Sequence, residues 1–527
     1  MAAKTKASAQ VLGAEQSQKL DRLLAGLRQR RLLNETSQSD FVVVMPPEGA
    51  TREGVEVQAV SAINLGNASR LLGGRSFGAA PKMTVVGRLD SSLVVKANSS
   101  ALQAMRFSSP GLRIFAATYL YAQYIRPMGE EMDSVEVQIA AGAKVKTFSV
   151  QLTDTAGSPL QGIKTKALVD WDGAHISSVS DADGLAKFSV PLVYPRIEVI
   201  MVEPEHTYWS RYVKGFERVA APEILPIQLD MLVPDSYELL KHYGPYDAQA
   251  GAGVTVGVID CGVGPHAALA VAGGACLVTG ESPVDFLDNG LGHGTHVAGI
   301  IAARPAGAIN AYGLAPACTL LAYRVCPKTG ELGRARSTDV AAAIERAIAD
   351  RCDFVNISMG SVEAMPEVPA MLLKARDAGV VVIAATGNDG QEQLRYPARY
   401  SHSLAAGAMG RDETFPKECP ESFQESEIRR GKEFVAEFSN YGLGTDFIGP
   451  GVAVVSTFPK NRYAMMSGTS MATPFATGMA ARLLSRDEAL LNMARDANRA
   501  DAIIRMLSQS ARKMGWSDKY SGFGVLQ

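Results

Sequence analysis

The stretch "MMSGTSMATPFATGMAARLL", Met465 to Leu484, decides how the rest of the chain is read. Gly468 permits backbone angles that other residues avoid, and Pro474 is tolerated in a first helical turn, where its missing N–H costs little. Ala476, Met479, Ala480 and Leu483 then recur at helical spacing. This pattern puts the Ser470 hydroxyl at a helix N-terminus, where main-chain N–H groups and the helix dipole favour negative charge. Alone, it is equally the mark of a Ser/Thr cap on a buried helix. It points to chemistry only if a base and an acid lie elsewhere in the chain.

Composition narrows the classes. A chain of 527 residues exceeds one ordinary core, so two or three domains are expected. Formal net charge is −2, which gives no global basic field for nucleic acid. No apolar run approaches the roughly 20 residues that span a bilayer. The first residues, "MAAKTKASAQVLGAEQSQKLDRLL", carry no apolar segment of signal-peptide type, and a cytoplasmic location is the expectation. The six cysteines form no C-x-x-C pair and read as reduced thiols, with Cys276, Cys318, Cys326 and Cys352 in strand or core positions.

Along the chain, residues 1–38 read as a helical extension, with Leu20, Leu23, Leu24 and Leu27 on one face and basic residues around them. Residues 39–127 alternate strands with a short helix ("SSALQAMRF") and suggest a small α+β domain. Residues 146–232 carry strand signals separated by turns and suggest a β-sandwich that resembles immunoglobulin-like modules. Its "DADG" reads as a turn rather than a calcium loop. From residue 237 to 527 apolar strands alternate with amphipathic helices, which predicts a doubly wound parallel α/β sheet.

Ligands of such sheets sit beyond the carboxyl ends of the strands. Asp260 emerges there after "VTVGVI", His293 opens the helix "HGTHVAGIIAA", Asn388 follows "VVVIAATG", and Ser470 opens the last major helix. A Ser hydroxyl becomes a useful nucleophile when a neutral His removes its proton. A buried carboxylate orients that His, and an amide donor stabilises the oxyanion that forms. The separate structural explanations are a turn former, a helix cap and a left-handed Asn. Their coincidence at one rim favours the catalytic reading.

"VIDCGVG", "GHGTHVAG", "ATGND" and "SGTSMATP" resemble, in order, the Asp, His, oxyanion and Ser blocks of subtilisin-like serine proteases. The resemblance spans about residues 237–527 and implies a serine endopeptidase acting on proteins or peptides. It assigns the base to His293 rather than His296, and the oxyanion donors to Asn388 and the Ser470 N–H. It implies a first specificity pocket walled by Ser358, Met359 and Gly360 and by Ala385, Thr386 and Gly387, with Arg395 at its floor. There Arg395 either attracts an acidic residue or pairs with Asp389. Cys261 departs from the Ser or Thr usual after the Asp. The loop "RPAGAINAYG" lacks the ligand pattern of the family's strong calcium site, so no metal or other cofactor is expected. Region 39–127 loosely resembles the family's inhibitory propeptides, whose last strand lies in the active site. This implies a zymogen that processes itself, between about 119 and 145 (Glu130 and Glu131 among the candidates) or just before Asp235. The charged stretch 411–433 reads as an insertion, either a solvated loop or a gate or partner site. The same triad in a transpeptidase or macrocyclase, and a non-catalytic binding scaffold, are the alternative functions.

Overall fold

The computed structural model describes residues 41–45, 82–89, 92–98, 112–124 and 136–139, then 142–232 apart from residue 172, 240–306 and 311–527. It also describes helical residues 15, 16, 18, 19, 101, 102, 104 and 105. Most of the expected N-terminal helix, and the acidic stretch holding Glu130 and Glu131, lie outside the described residues.

Strands β1 (Phe41–Met45), β2 (Met83–Leu89), β3 (Ser92–Ala97) and β4 (Arg113–Ala116) form an antiparallel sheet in the order β2-β3-β1-β4. Val42, Val44, Leu93 and Val95 alternate onto one face and bury against Met105 and Leu112. Strand β5 (Tyr119–Ala122) follows β4 but leaves this sheet.

Seven strands come next: β6 (Val145–Thr153), β7 (Lys164–Leu168), β8 (His175–Val179), β9 (Leu185–Pro191), β10 (Val199–Glu203), β11 (Arg211–Lys214) and β12 (Ile224–Gln228). They make two sheets, β11-β10-β7-β8 and β12-β6-β9, packed through Phe148, Val150, Phe188, Ile200 and Val202. Sequence patterning missed the short β11 and β12. In "DADG", Asp181 Oδ1 accepts the N–H groups of Asp183 and Leu185 and Oδ2 pairs with Lys187, the arrangement of a turn.

The main elements that follow are β13 (Thr255–Asp260), β14 (Val271–Cys276), α1 (His293–Ala302), β15 (Thr319–Arg324), β16 (Arg334–Arg336), α2 (Ser337–Ala349), β17 (Phe354–Ile357), β18 (Met359–Gly360), α3 (Val368–Asp377), β19 (Val381–Ala385) and β20 (Leu404–Arg411). After them come β21 (Glu425–Arg430), β22 (Glu433–Ala436), β23 (Phe447–Pro450), β24 (Val454–Phe458), β25 (Arg462–Met466), α4 (Thr469–Leu484) and α5 (Ala497–Ser510). The nine-stranded sheet runs β14-β15-β13-β17-β19-β20-β22-β21, with β23 also on β20. Its pairs are parallel except those that involve β22.

Successive residues of the central strands serve opposite faces. Val256, Phe354, Val381 and Ile383 pack with Val297 and Ile301 of α1 and Phe475 and Met479 of α4. Ile259, Val355, Ile357 and Val382 pack with Val340 and Ile344 of α2 and Leu372 of α3. Helices on both faces explain why these strands read as unbroken apolar runs, each large side chain adding about 1.5–3 kcal/mol by burial. The arrangement is the doubly wound α/β sheet expected from the alternation.

Of the two readings of 411–433, the solvated loop is not what forms: the stretch is ordered structure. Residues 425–436 fold into the β21–β22 hairpin on the sheet edge, because Phe434 and Val435 bury against the core. The stretch also meets the sandwich: Tyr212 N–H donates to Glu418 O (2.8 Å), and the Tyr212 ring lies 5.0 Å from that of Phe423.

Candidate active site

Asp260 ends β13 and is fully buried. Its Oδ1 accepts the Cys261 N–H (2.7 Å) and meets His293 Nδ1 at 2.7 Å. His293 is the first residue of α1, preceded by Gly292 at φ 79°. Gly294 lets the helix come this close, since a Cβ there would lie 2.2 Å from Gly262 O and 3.1 Å from Asp260 Cβ. Asp288 braces the same turn: it accepts the N–H groups of Gly290 and Gly292 and the Thr295 hydroxyl. His296 sits three residues on, yet does other work. Its Nε2 donates to Val454 O (3.0 Å) and Ala464 O (3.1 Å), tying α1 to the β24–β25 hairpin. Burial, with His293 nearby, pushes its pKa down to about 3 and keeps the ring neutral.

Ser470 is the second residue of α4, after Gly468 at φ 155°. Pro474 falls sixth in the helix, not in its first turn, and therefore leaves the Ser470 carbonyl without its usual i+4 donor. The Ser358 hydroxyl fills that role at 2.9 Å, itself held by Asn356 Nδ2 (2.9 Å), while Thr477 Oγ1 donates to Asn356 Oδ1 (3.0 Å). This buried chain fixes the N-terminal turn of α4 on β17. Asn356 and Thr477 carried no sequence signal of that role, being separated by 121 positions.

Asn388 Oδ1 accepts both the N–H and the hydroxyl of Thr469, at 2.9 Å each. That fixes the amide orientation and leaves Asn388 Nδ2 buried without a hydrogen-bond partner. His293 Nε2 is likewise buried and unpartnered, and the Ser470 hydroxyl donates to Ser358 O at 2.8 Å rather than to the imidazole. A buried, unpaired donor and an unpaired imidazole nitrogen facing one site are costly features that a bound, reacting group would satisfy.

The site is filled by the chain's own β5. This strand lies between β16 and β18, with Ala335 opposite Leu120 and Met359 opposite Ala122. Ala122 N–H donates to Gly333 O (2.9 Å), Gln123 N–H to Ser358 O (3.0 Å), and Ser470 N–H to Gln123 O (2.8 Å). The Tyr124 ring then stacks obliquely 5.1 Å from His293. Gly468 makes this approach feasible, since a Cβ there would lie 2.4 Å from Gln123 O and 2.6 Å from Tyr124 Cα. Gln123 and Tyr124 had no motif to announce them. Their place follows from a tertiary pairing more than 200 residues away.

Of the expected specificity residues, Ser358, Met359 and Gly360 contact the bound segment, and Gln123 Cδ lies 3.2 Å from where a Gly360 Cβ would stand. Gly387, at φ 113°, and Arg395 lie alongside. Ala385 and Thr386 are buried at the end of β19, where Thr386 O accepts the Arg395 N–H. Arg395 does not stand free to attract an acid. Its Nε and Nη2 donate to the two Asp389 oxygens (2.7 and 2.6 Å), a buried bidentate pair that meets its charge.

Residues 251–524 match the model of the Subtilase family. The chain is 36% identical over 276 residues to subtilisin BL of Lederbergia lenta, covering 52% of this chain and 89% of that protein. Against subtilisin DY of Bacillus licheniformis it is 34% identical over 281 residues, again 52% and 89%. Against an alkaline protease of Shouchella clausii it is 36% identical over 276 residues, 52% and 63%. The chain belongs to the subtilase family. This subtilase is therefore a serine protease, a hydrolase acting on protein or peptide substrates. The expected cytoplasmic location is overturned, because its subtilisin relatives are secreted, extracellular proteases. The reading failed because it rested on the apolar pattern of one short N-terminal stretch, whereas the relatedness rests on 276 aligned residues.

Proposed function

We propose that this chain is a serine endopeptidase working through Asp260, His293 and Ser470, kept latent by its own segment 119–124 and released by self-cleavage at Gln123–Tyr124. The observation that carries the reading is the hydrogen bond from Ser470 N–H to Gln123 O, made by a strand paired on both sides like an extended substrate. Rotation of the Ser470 side chain from Ser358 O towards His293 Nε2 readies the nucleophile. His293 takes the proton as Oγ attacks the Gln123 carbonyl carbon, and Asp260 stabilises the imidazolium. The oxyanion is met by the Ser470 N–H and by Asn388 Nδ2, whose amide Thr469 already holds in place. Protonated His293 then delivers the proton to the Tyr124 nitrogen, and water hydrolyses the acyl-enzyme. These groups supply the acid, base and oxyanion donors, so the reaction requires no metal, and turnover persists after dialysis against a chelator.

The decisive experiment incubates full-length wild-type and Ser470→Ala proteins, then reads intact masses and new N-termini. Wild type gives a fragment beginning at Tyr124, and Ser470→Ala stays whole. Equal fragmentation in both refutes the mechanism. A second reading draws on a cavity of about 270 Å3 beside Tyr124, walled by Glu205 and His206 of the sandwich segment and by Pro420 and Glu421 of the insertion. Such cover over the leaving-group side favours transfer to an amine over water. Peptide products lacking the mass of one water would identify a transpeptidase.

A further inference from the structure

An open cleft of about 680 Å3 gathers six cationic side chains: Arg411, Arg430, Lys432, Arg482, Arg486 and Arg512. They come from parts distant in sequence: the end of β20, the edge hairpin, the C-terminal end of α4 with the residues just beyond it, and the chain after α5. Among the described residues lining it, Glu433 is the one side-chain carboxylate. Glu433 meets Arg512 (2.8 Å), His242 (3.2 Å) and Arg411 (3.5 Å). Arg486 pairs with Asp247 and Lys432 with Glu413.

Arg430 and Arg482 differ from the rest. Arg430 Nη1 donates to Met514 O (3.3 Å), while Arg482 Nη1 and Nη2 donate to Tyr243 O (3.3 Å) and Pro245 O (3.4 Å). These acceptors are neutral carbonyls. The cleft's described lining thus sets six cationic side chains against one side-chain carboxylate, Glu433. Arg482 is only 8% exposed, and burial, reinforced by neighbouring Arg486, pulls its guanidinium below the ordinary range. Burial pushes the Glu433 carboxyl up, but His242 and Arg512 outweigh it and hold it at about 2. Gathering like charges in a partly desolvated cleft is unfavourable unless a multivalent anion joins them.

We propose that this cleft binds a phosphate-rich oligoanion of the triphosphate class. Guanidinium forks match phosphate oxygens in pairs, and the cleft volume suits a ligand the size of a nucleotide. Arg411, Arg430 and Lys432 come from the charged stretch 411–433, which ends in the edge hairpin. A bound anion would join the hairpin, the segment leading from the sandwich (His242 to Gly244) and the far end of the nucleophile helix. Arg482 lies twelve residues beyond Ser470 on α4, about 18 Å along its axis. The site is therefore separate from the catalytic one.

The test uses full-length Ser470→Ala protein, titrated calorimetrically with sodium tripolyphosphate at about 0.15 M salt, where screening acts over about 8 Å. ATP and sulfate are run separately. Saturable binding of tripolyphosphate is expected, weakened at least about tenfold by Arg430→Gln and by Arg512→Gln. Arg430 is exposed, so its variant folds even if a change at Arg482 does not. ATP binding as tightly as tripolyphosphate supports a nucleotide ligand, and tripolyphosphate alone supports a free oligophosphate. Absence of saturable binding, equal binding by sulfate, or unchanged affinity in both variants overturns the proposal. Since the readout is binding, it succeeds or fails independently of the protease mechanism.

Discussion

Latency by strand insertion can be measured by loosening β5 alone. Replacing Ala122 with Pro removes the N–H that donates to Gly333 O and forces a ring between two flanking strands. Losing the bond contributes about 0.5–1.5 kcal/mol, and the carbonyl left without its donor and the displaced strands raise the total to about 2–4 kcal/mol. An occluded site lowers apparent affinity in proportion to the fraction open. The substitution should therefore tighten substrate binding by roughly 30- to 1,000-fold, up to the point where the site is fully open. The assay compares full-length Ser470→Ala with Ser470→Ala/Ala122→Pro, so that neither can cleave itself on the proposed mechanism. Each is titrated with a fluorescent peptide carrying the sequence Tyr119–Tyr124, and circular dichroism checks the fold. Equal dissociation constants in two folded proteins would show that β5 is no barrier, and the latency argument would fall.

Three further outcomes follow from named contacts. Asn388→Ala should lower kcat by about 10²–10³ with little change in KM, the known effect of deleting such a donor from a subtilisin rather than a figure worked from these distances; an unchanged kcat removes Asn388 from the oxyanion site. His296, held near pKa 3 against 6.5 when unfolded, stabilises the fold above pH 6.5, and that stability is lost as pH falls towards 3. Denaturation of Ser470→Ala at pH 7 and pH 4 should differ by about 3 kcal/mol from this group, and His296→Gln should shrink the difference; an identical pH slope in the two proteins contradicts the assignment. Gly294→Ala forces a Cβ to within 2.2 Å of Gly262 O, and activity should fall at least about tenfold through displacement of His293 from Asp260; wild-type turnover in that variant would show the helix shifts freely.

The sequence by itself determined the parallel sheet and the places on it where the proposed site residues stand. Asp260, His293, Asn388 and Ser470 each fall beside a strand end or helix start, positions that short-range apolar patterning locates. Patterning missed β14, where "VAGGAC" holds two glycines that dilute the strand signal, and left 411–433 open between a solvated loop and a gate or partner site, because alternating charges on β21 conceal a hairpin anchored by Phe434. Three matters were decided only by tertiary structure. Arg395 is neutralised by Asp389, β5 occupies the cleft between β16 and β18, and basic side chains from distant segments converge. Local patterns record how a residue sits on its own element. An ion pair, a strand inserted between partners hundreds of positions away, and a shared cleft depend on how elements meet, and that is set by the packing of the whole chain.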